Sequence, residues 1–185
     1  MKINNTQDLL AAIAAGATPD YLCFWGHTPS HAQTVDKSCL SQWYMAPFSV
    51  DGVRYPTAEH YMMACKATLF GDAAIAGRII AAKLPAEVKK LGREVAHFDS
   101  ARWAREREAV VFDGNLAKFA QNPPLRKFLL SSANSVIVEA SPVDPIWGVG
   151  MAADDAAIGS PGSWKGLNLL GFALMNVRAA LRASL

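Results

Sequence analysis

Cys23, Cys39 and Cys65 are the only cysteines in the chain. An odd number at irregular spacing does not make a disulfide framework, and it reads as reduced thiols in a cytoplasmic protein. Charge is also sparse: 18% of residues are Asp, Glu, Lys or Arg, with a formal net charge of +2. So small an excess argues against general binding to polyanions or anionic membranes, and any basic site has to be a local cluster. No apolar run is long enough to span a bilayer. The run Leu9 to Ala17 follows Asp8 and a single Lys2, a poor start for a signal peptide. It reads better as a short helix capped by Thr6, closed by Gly16 and followed by Pro19. A nucleophile elbow, a Walker-type phosphate loop and a dinucleotide fingerprint are missing, as is any internal repeat.

What is present is apolar. Hydrophobic residues make up 51% of 185, enough for a sizeable core in one domain. The stretch Tyr55 to Lys66 organises the rest. Asp51-Gly52 between Trp43–Val50 and Val53–Tyr55 predicts a hairpin, with Pro47 making the first strand irregular or an edge. Thr57 then caps a helix that runs to about Phe70 and stops at Gly71. Glu59 lies in its first turn, and Lys66 stands seven residues on, about two turns, so both share one face with Met62 and Met63. The residues alone leave two readings open. Either two charges snorkel from the edge of a core-facing helix, or an acid and an amine are buried for chemistry.

Further helices are expected over 72–83, from Pro85 to Gly92-Arg93, and from Ser100 towards Gln121, with Gly114 a weak point in the last. Asn122-Pro123-Pro124 breaks that helix before a short one ending near Leu130. Tyr21 to Gly26 and Val136 to Glu139 are β-prone. Ser141 to Ser163 is a long irregular stretch that reads as a lid or pocket wall, carrying Asp144, Trp147 and Gly148. The last helix, from about Gly166 to Arg182, has helical apolar spacing at Leu167, Leu170, Leu174, Val177 and Leu181. The expected fold is α+β and mainly helical, a single domain with a small hairpin or sheet and a long pocket loop.

Cys23, His27, His31 and Cys39 are zinc-ligand types in one short span. Their spacing matches no recognised site, and Gly26 and Pro29 keep a helix from aligning the histidines, so no metal is expected. Phe24, Trp25, Trp43, Trp147 and Trp164 are core residues or platforms for a flat ring such as a nucleobase. Arg93, after Gly92, is either a solvated arginine or a phosphate ligand.

Taken in order, a set of motifs points to one family. They are Pro56-Thr-Ala-Glu-His-Tyr61 with Lys66, Leu91-Gly-Arg93, Lys118-Phe119, Val138-Glu-Ala-Ser141, Asp144-Pro-Ile-Trp-Gly148 and Gly166-Leu-Asn168 to Gly171. From Phe24-Trp25 to Arg178 the chain resembles the NADAR family, also called YbiA-like or riboflavin-biosynthesis-intermediate N-glycosidases. The resemblance implies a helical extension over 1–20 and an N-glycosidase domain over 21–185. It implies cleavage of a ribose–nitrogen bond without a cofactor. One substrate class it implies is the phosphorylated ribosylamino-pyrimidines of riboflavin biosynthesis. The alternative is ADP-ribose on guanine bases, with nucleic acid involved only as the modified substrate. Glu59 matches the family's catalytic glutamate and Lys66 its lysine, and Trp147 and Asn168 match pocket residues. Gln42-Trp43 stands where many members carry Asn-Phe, and the resemblance implies that it plays a similar part in binding substrate.

Glu59 would stabilise an electron-poor sugar carbon or activate water. Lys66 would attack that carbon and form a Schiff base only as a neutral amine. Burial favours that form, and an ionised Glu59 opposes it. Asp144 would orient a hydroxyl or act as a second acid, and Arg93 would hold a phosphate. Arg102, Arg105 and Arg107 are interleaved with Glu106 and Glu108, which reads as a solvated face and not a polynucleotide channel. A third reading, a module that binds a nucleotide or ADP-ribose without cleaving it, would have no need of Glu59.

Overall fold

The computed structural model describes residues 3–184. Its helices are α1 (Thr6–Ala14), α2 (Ala58–Leu69), α3 (Ala73–Ala81), α4 (Pro85–Arg93), α5 (Ser100–Gln121), α6 (Pro123–Ser131) and α7 (Leu169–Ala183). The strands are β1 (Tyr21–Phe24), β2 (Phe48–Val50), β3 (Val53–Tyr55) and β4 (Val136–Glu139). The class is α+β and mainly helical. Contacts divide the chain into two compact units: Gln42–Pro123, and the two flanks on either side of it.

In the flanking unit β1 and β4 pair in parallel, from Tyr21 opposite Val136 to Phe24 opposite Glu139. Leu9, Val136, Val138, Val149 and Met151 form a core against which Tyr21, Trp164 and Met175 pack. Helix α1 thus contributes to this core through Leu9, which is fully buried. Its cap is Asn5, one residue before the expected Thr6; the Asn5 side chain accepts from Asp8 N. The long loop is irregular, apart from a short 3-10 turn at Pro161–Ser163. Trp164 is tied to it, with Nε1 donating to Ile158 O at 2.8 Å and its ring edge-on to Tyr21 at 6.4 Å. Helix α7 starts at Leu169, later than the expected Gly166. Asn168 sits at φ 52°, in the left-handed region that a helix cannot contain. One turn on, α7 meets β4 so closely that a Cβ at Gly171 would lie 2.1 Å from Ile137 O.

The Gln42–Pro123 unit opens with a segment that is not a strand as far as Pro47. Ala46 N donates instead to Pro56 O, and the hairpin is only three residues a side. Its turn has both central residues at positive φ, Asp51 at 49° and Gly52 at 78°, which matches the twist of the strands it joins. Phe48, Tyr55 and Tyr61 stack at ring separations of 5.1–6.0 Å. Helix α5 is capped by Asp99, not by the expected Ser100, and runs unbroken through Gly114. That glycine has a packing reason: a Cβ there would lie 2.5 Å from the Tyr61 ring. Among the described residues no helix is long and apolar enough to cross a membrane.

These contacts set opposite outcomes for two glycines. Gly171→Ala should lower the unfolding free energy by about 1–3 kcal/mol, because backbone has to move. Gly77→Ala, with nothing within 4 Å of the added Cβ, should raise it by roughly 0.5–1 kcal/mol. Urea denaturation of the two variants checks both signs.

Candidate active site

Thr57 begins α2 with an extended backbone, and its Oγ1 accepts from His60 N at 3.3 Å. The His60 ring is fully buried: Nε2 donates to Ala82 O at 3.1 Å, which leaves Nδ1 to accept from the Thr57 hydroxyl at 2.7 Å. Burial lowers the His60 pKa, in keeping with this neutral ring. A third anchor comes from Gln42, whose backbone carbonyl accepts from Glu59 N at 2.9 Å. The first turn of α2 is therefore anchored, with partners for the otherwise orphan N–H groups of Glu59 and His60.

Glu59 is 4% exposed, so it does not snorkel. It sits at the helix end whose dipole favours a negative charge. Met62 and Met63 are buried beyond it, and Lys66 is half-buried. Lys66 Nζ donates to Gly92 O at 2.6 Å, close to the C-terminal end of α4, and lies 4.1 Å from the centroid of Phe98. Burial pushes the Lys66 pKa down, and the charge of Glu59 pushes it up by a smaller amount. The expected pair thus lies within one electrostatic neighbourhood. Gly92 allows the approach of α4, since a Cβ there would collide with Met63.

Arg93 follows Gly92 and is exposed. Trp43 is half-buried, with Lys89 Nζ 5.8 Å from its ring centroid. Gln42 is 7% exposed, and its Oε1 accepts from Asn115 Nδ2 at 2.7 Å. Two polar residues buried on α5 were not assigned a role from sequence: Asn115 and Lys118, both fully buried. Lys118 Nζ lies 5.8 Å from the Tyr44 ring centroid and 5.1 Å from that of Phe119. The signal for them is helical spacing. Val111, Asn115, Lys118 and Phe119 fall on one stripe, so the two polar residues share a face with core residues. A cavity of about 390 Å³ in this unit is lined by Tyr55, Tyr61, Cys65 and Ile80, and neither Glu59 nor Lys66 is in its wall.

In the flanking unit Phe24 is 1% exposed and belongs to the core, while its neighbour Trp25 is 59% exposed. Asp144 Oδ1 accepts from Ile146 N and Trp147 N, each at 2.9 Å, so one carboxylate oxygen shapes the turn that presents Trp147. Gly148 is buried where a Cβ would meet Glu139 O at 2.8 Å. Asn168 is fully buried, with Oδ1 accepting from Glu139 N at 3.0 Å and Nδ2 donating to Ile137 O at 2.9 Å. It braces β4 against the start of α7. No group of three or more His, Cys, Asp or Glu suited to a metal occurs among the described residues.

A family model described as NADAR domain matches residues 23–182. N-glycosidase R617 of Acanthamoeba polyphaga mimivirus is 40% identical over 166 residues, which is 87% of this chain and 96% of that protein. N-glycosidase YbiA of Escherichia coli K12 is 33% identical over 146 residues, 79% of this chain and 81% of that protein. The NMR structure of the E. coli protein YbiA matches with a TM-score of 0.73 at 28% identity, covering 91% of this chain and 88% of that one.

The coupling of the acid and the amine can be read directly. Glu59→Gln removes the charge that supports the Lys66 cation, so the Lys66 pKa should fall further below its usual value. Titration of the Lys66 side chain by NMR measures this, and an unchanged or higher pKa would show that the two groups do not share a field.

Proposed function

We propose, from the premise that this chain belongs to the NADAR domain family, that it hydrolyses the ribose–nitrogen bond of phosphorylated ribosylamino-pyrimidines, intermediates of riboflavin biosynthesis. The coarser statement rests on its relatives. Proteins named N-glycosidases match most of the chain, and the chain is a hydrolase of N-glycosyl bonds. The observation that carries the proposal is the carboxylate of Glu59, buried in the first turn of α2 with Lys66 in its field.

In the proposed reaction the bond from the ribose C1′ to the base nitrogen breaks, and its electron pair leaves with the nitrogen, which takes up a proton. Lys66 in its neutral form adds to C1′, and Glu59 accepts the proton that the amine loses. Opening of the sugar gives a Schiff base, which water hydrolyses to the free sugar and the restored amine. The half-burial of Lys66 supports this route by raising the share of neutral amine. Without attack by Lys66, Glu59 would activate the water directly. Arg93, exposed beside the Gly92 carbonyl that holds Lys66, is proposed to take the substrate phosphate. Trp43 is proposed as a surface for the leaving base. Asp144 positions Trp147 by holding its turn. Phe24 and Asn168 act from within their own unit as supports.

A small substrate fits the exposed face of α5 better than a polynucleotide. Arg102 and Arg105 share it with Glu106 and Glu108, and Arg102 lies against Phe70, 5.7 Å from the ring centroid. Incubation with a 5′-phosphoribosylamino-pyrimidine should release ribose 5-phosphate and the free pyrimidine. Release of ADP-ribose from ADP-ribosylated guanine instead would overturn the substrate assignment but not the bond cleaved. Glu59→Gln should lower kcat by about 10²–10⁴-fold with ligand binding retained. Borohydride added during turnover should leave a reduced sugar adduct on Lys66, detectable by peptide mass. No adduct, with Lys66→Ala still active, would leave the direct water route.

A further inference from the structure

Gln42 and Asn115 form a side-chain pair in the Gln42–Pro123 unit whose hydrogen bonds can be assigned group by group. Asn115 Nδ2 donates to Val111 O at 2.8 Å and to Gln42 Oε1 at 2.7 Å. A carbonyl can only accept, so Val111 fixes the Asn115 amide with its NH₂ on that side. That NH₂ in turn fixes Gln42 with its oxygen towards Asn115, because the reverse would set two NH₂ groups against each other. Gln42 Nε2 is then left buried with no acceptor, and Asn115 Oδ1 with no donor, among the described residues. The two amides therefore do not close into a doubly bonded pair, in which Nε2 would return to Oδ1. A buried donor without an acceptor costs about 1–3 kcal/mol, and a protein keeps such a group where something else fills it.

The place of this donor is informative. The backbone carbonyl of Gln42 holds Glu59 N, so the residue with the unsatisfied NH₂ also fixes the first turn of α2. We infer that Asn115 is a positioning residue: it locks the Gln42 carboxamide with its NH₂ turned away from Asn115, so that this donor receives an oxygen acceptor of the ribosyl substrate, a hydroxyl or carbonyl oxygen. This rests on the proposed N-glycosidase reading for the identity of the ligand, but the orientation of the amide does not depend on it. Asn115 touches no substrate in this scheme and acts only through Gln42.

Asn115→Asp reverses the device. A carboxylate repels both Val111 O and Gln42 Oε1, and it accepts from Gln42 Nε2, so the Gln42 amide turns over and presents its oxygen. When protonated, the introduced acid can donate again, and the original orientation returns. Two measurements follow. In the free protein, solvent exchange of the Gln42 side-chain NH₂, assigned by its loss in Gln42→Glu, should be slower in Asn115→Asp at pH 8 than in the wild type. Equal exchange in the two proteins would overturn the inferred orientation. In turnover of the 5′-phosphoribosylamino-pyrimidine, Asn115→Asp should raise KM about tenfold at pH 8, one hydrogen bond's worth, with kcat little changed. KM should return towards the wild-type value at pH 5.5. A rise in KM that is the same at both pH values, or a fall in kcat matched by Asn115→Leu, would overturn the positioning role in favour of a purely structural one. Absence of turnover by the wild type would count against the N-glycosidase substrate, and the exchange measurement would still decide the orientation.

Discussion

Burying one carboxylate at the start of α2 is the constraint that shapes the Gln42–Pro123 unit. Removing a charge from water costs several kcal/mol unless the surroundings replace the lost solvation. The helix N-terminus returns only about 0.3–1 kcal/mol at exposed sites and up to about 2 in partly buried geometry. The dipole alone therefore does not offset the desolvation of Glu59. The turn that carries it is itself held in place by hydrogen bonds. Three anchors meet there: the Thr57 cap, the His60 ring on Ala82 O, and the Gln42 carbonyl on Glu59 N. Two of them tie the turn to other segments, the end of α3 and the Gln42 backbone, so the turn cannot relax to expose Glu59 without breaking a contact elsewhere.

That rigidity carries over to Lys66. An amine two turns along the same helix has its position set by α2 and its environment set by α4 and Phe98. Its two perturbations oppose each other. Burial favours the neutral amine, and burial is the larger; the carboxylate favours the cation. The contacts with Gly92 O and the Phe98 ring suit the cation. Loss of the Glu59 charge, as when it takes up a proton, shifts the balance towards the neutral form. The charge state of the acid thus bears on how readily the amine gives its proton up.

Much of this was legible in the sequence where a single local rule decides. Pro85 at the first position of α4, Asp51-Gly52 in the hairpin and Thr57 before Glu59 each placed an element boundary correctly. The shared face of Glu59 and Lys66 followed from helical spacing alone. What spacing could not decide was depth: two positions on one stripe differ in burial, Glu59 inside and Lys66 half out, because α4 and Phe98 come from segments far along the chain. Other misses have the same cause. Asn5 and Asp99 took the caps expected at Thr6 and Ser100, since the residue before a good cap was itself a good cap. Residues 43–47 have strand composition, but the bond from Ala46 N to Pro56 O takes them out of the ladder. Gly114 lowered the expectation of a continuous α5, yet it is the close approach of Tyr61 that calls for glycine there.

Two buried amides show how a supporting residue can be told from one that faces a ligand. Asn168 is fully buried, with its oxygen taken by Glu139 N and its nitrogen by Ile137 O. Both ends are spent on backbone, and the left-handed conformation at Asn168 is explained by the same brace. Gln42 is almost as deeply buried, but only its oxygen is spent. The family resemblance implied a place in the substrate pocket for both residues, and burial does not separate them. Hydrogen-bond accounting does, because a satisfied amide gains little from a ligand, while an amide with a free donor loses by remaining without one. By that criterion, of the two amides it is Gln42 that keeps a donor without a partner among the described residues, and the feature that orients it is a carbonyl one helical turn before Asn115.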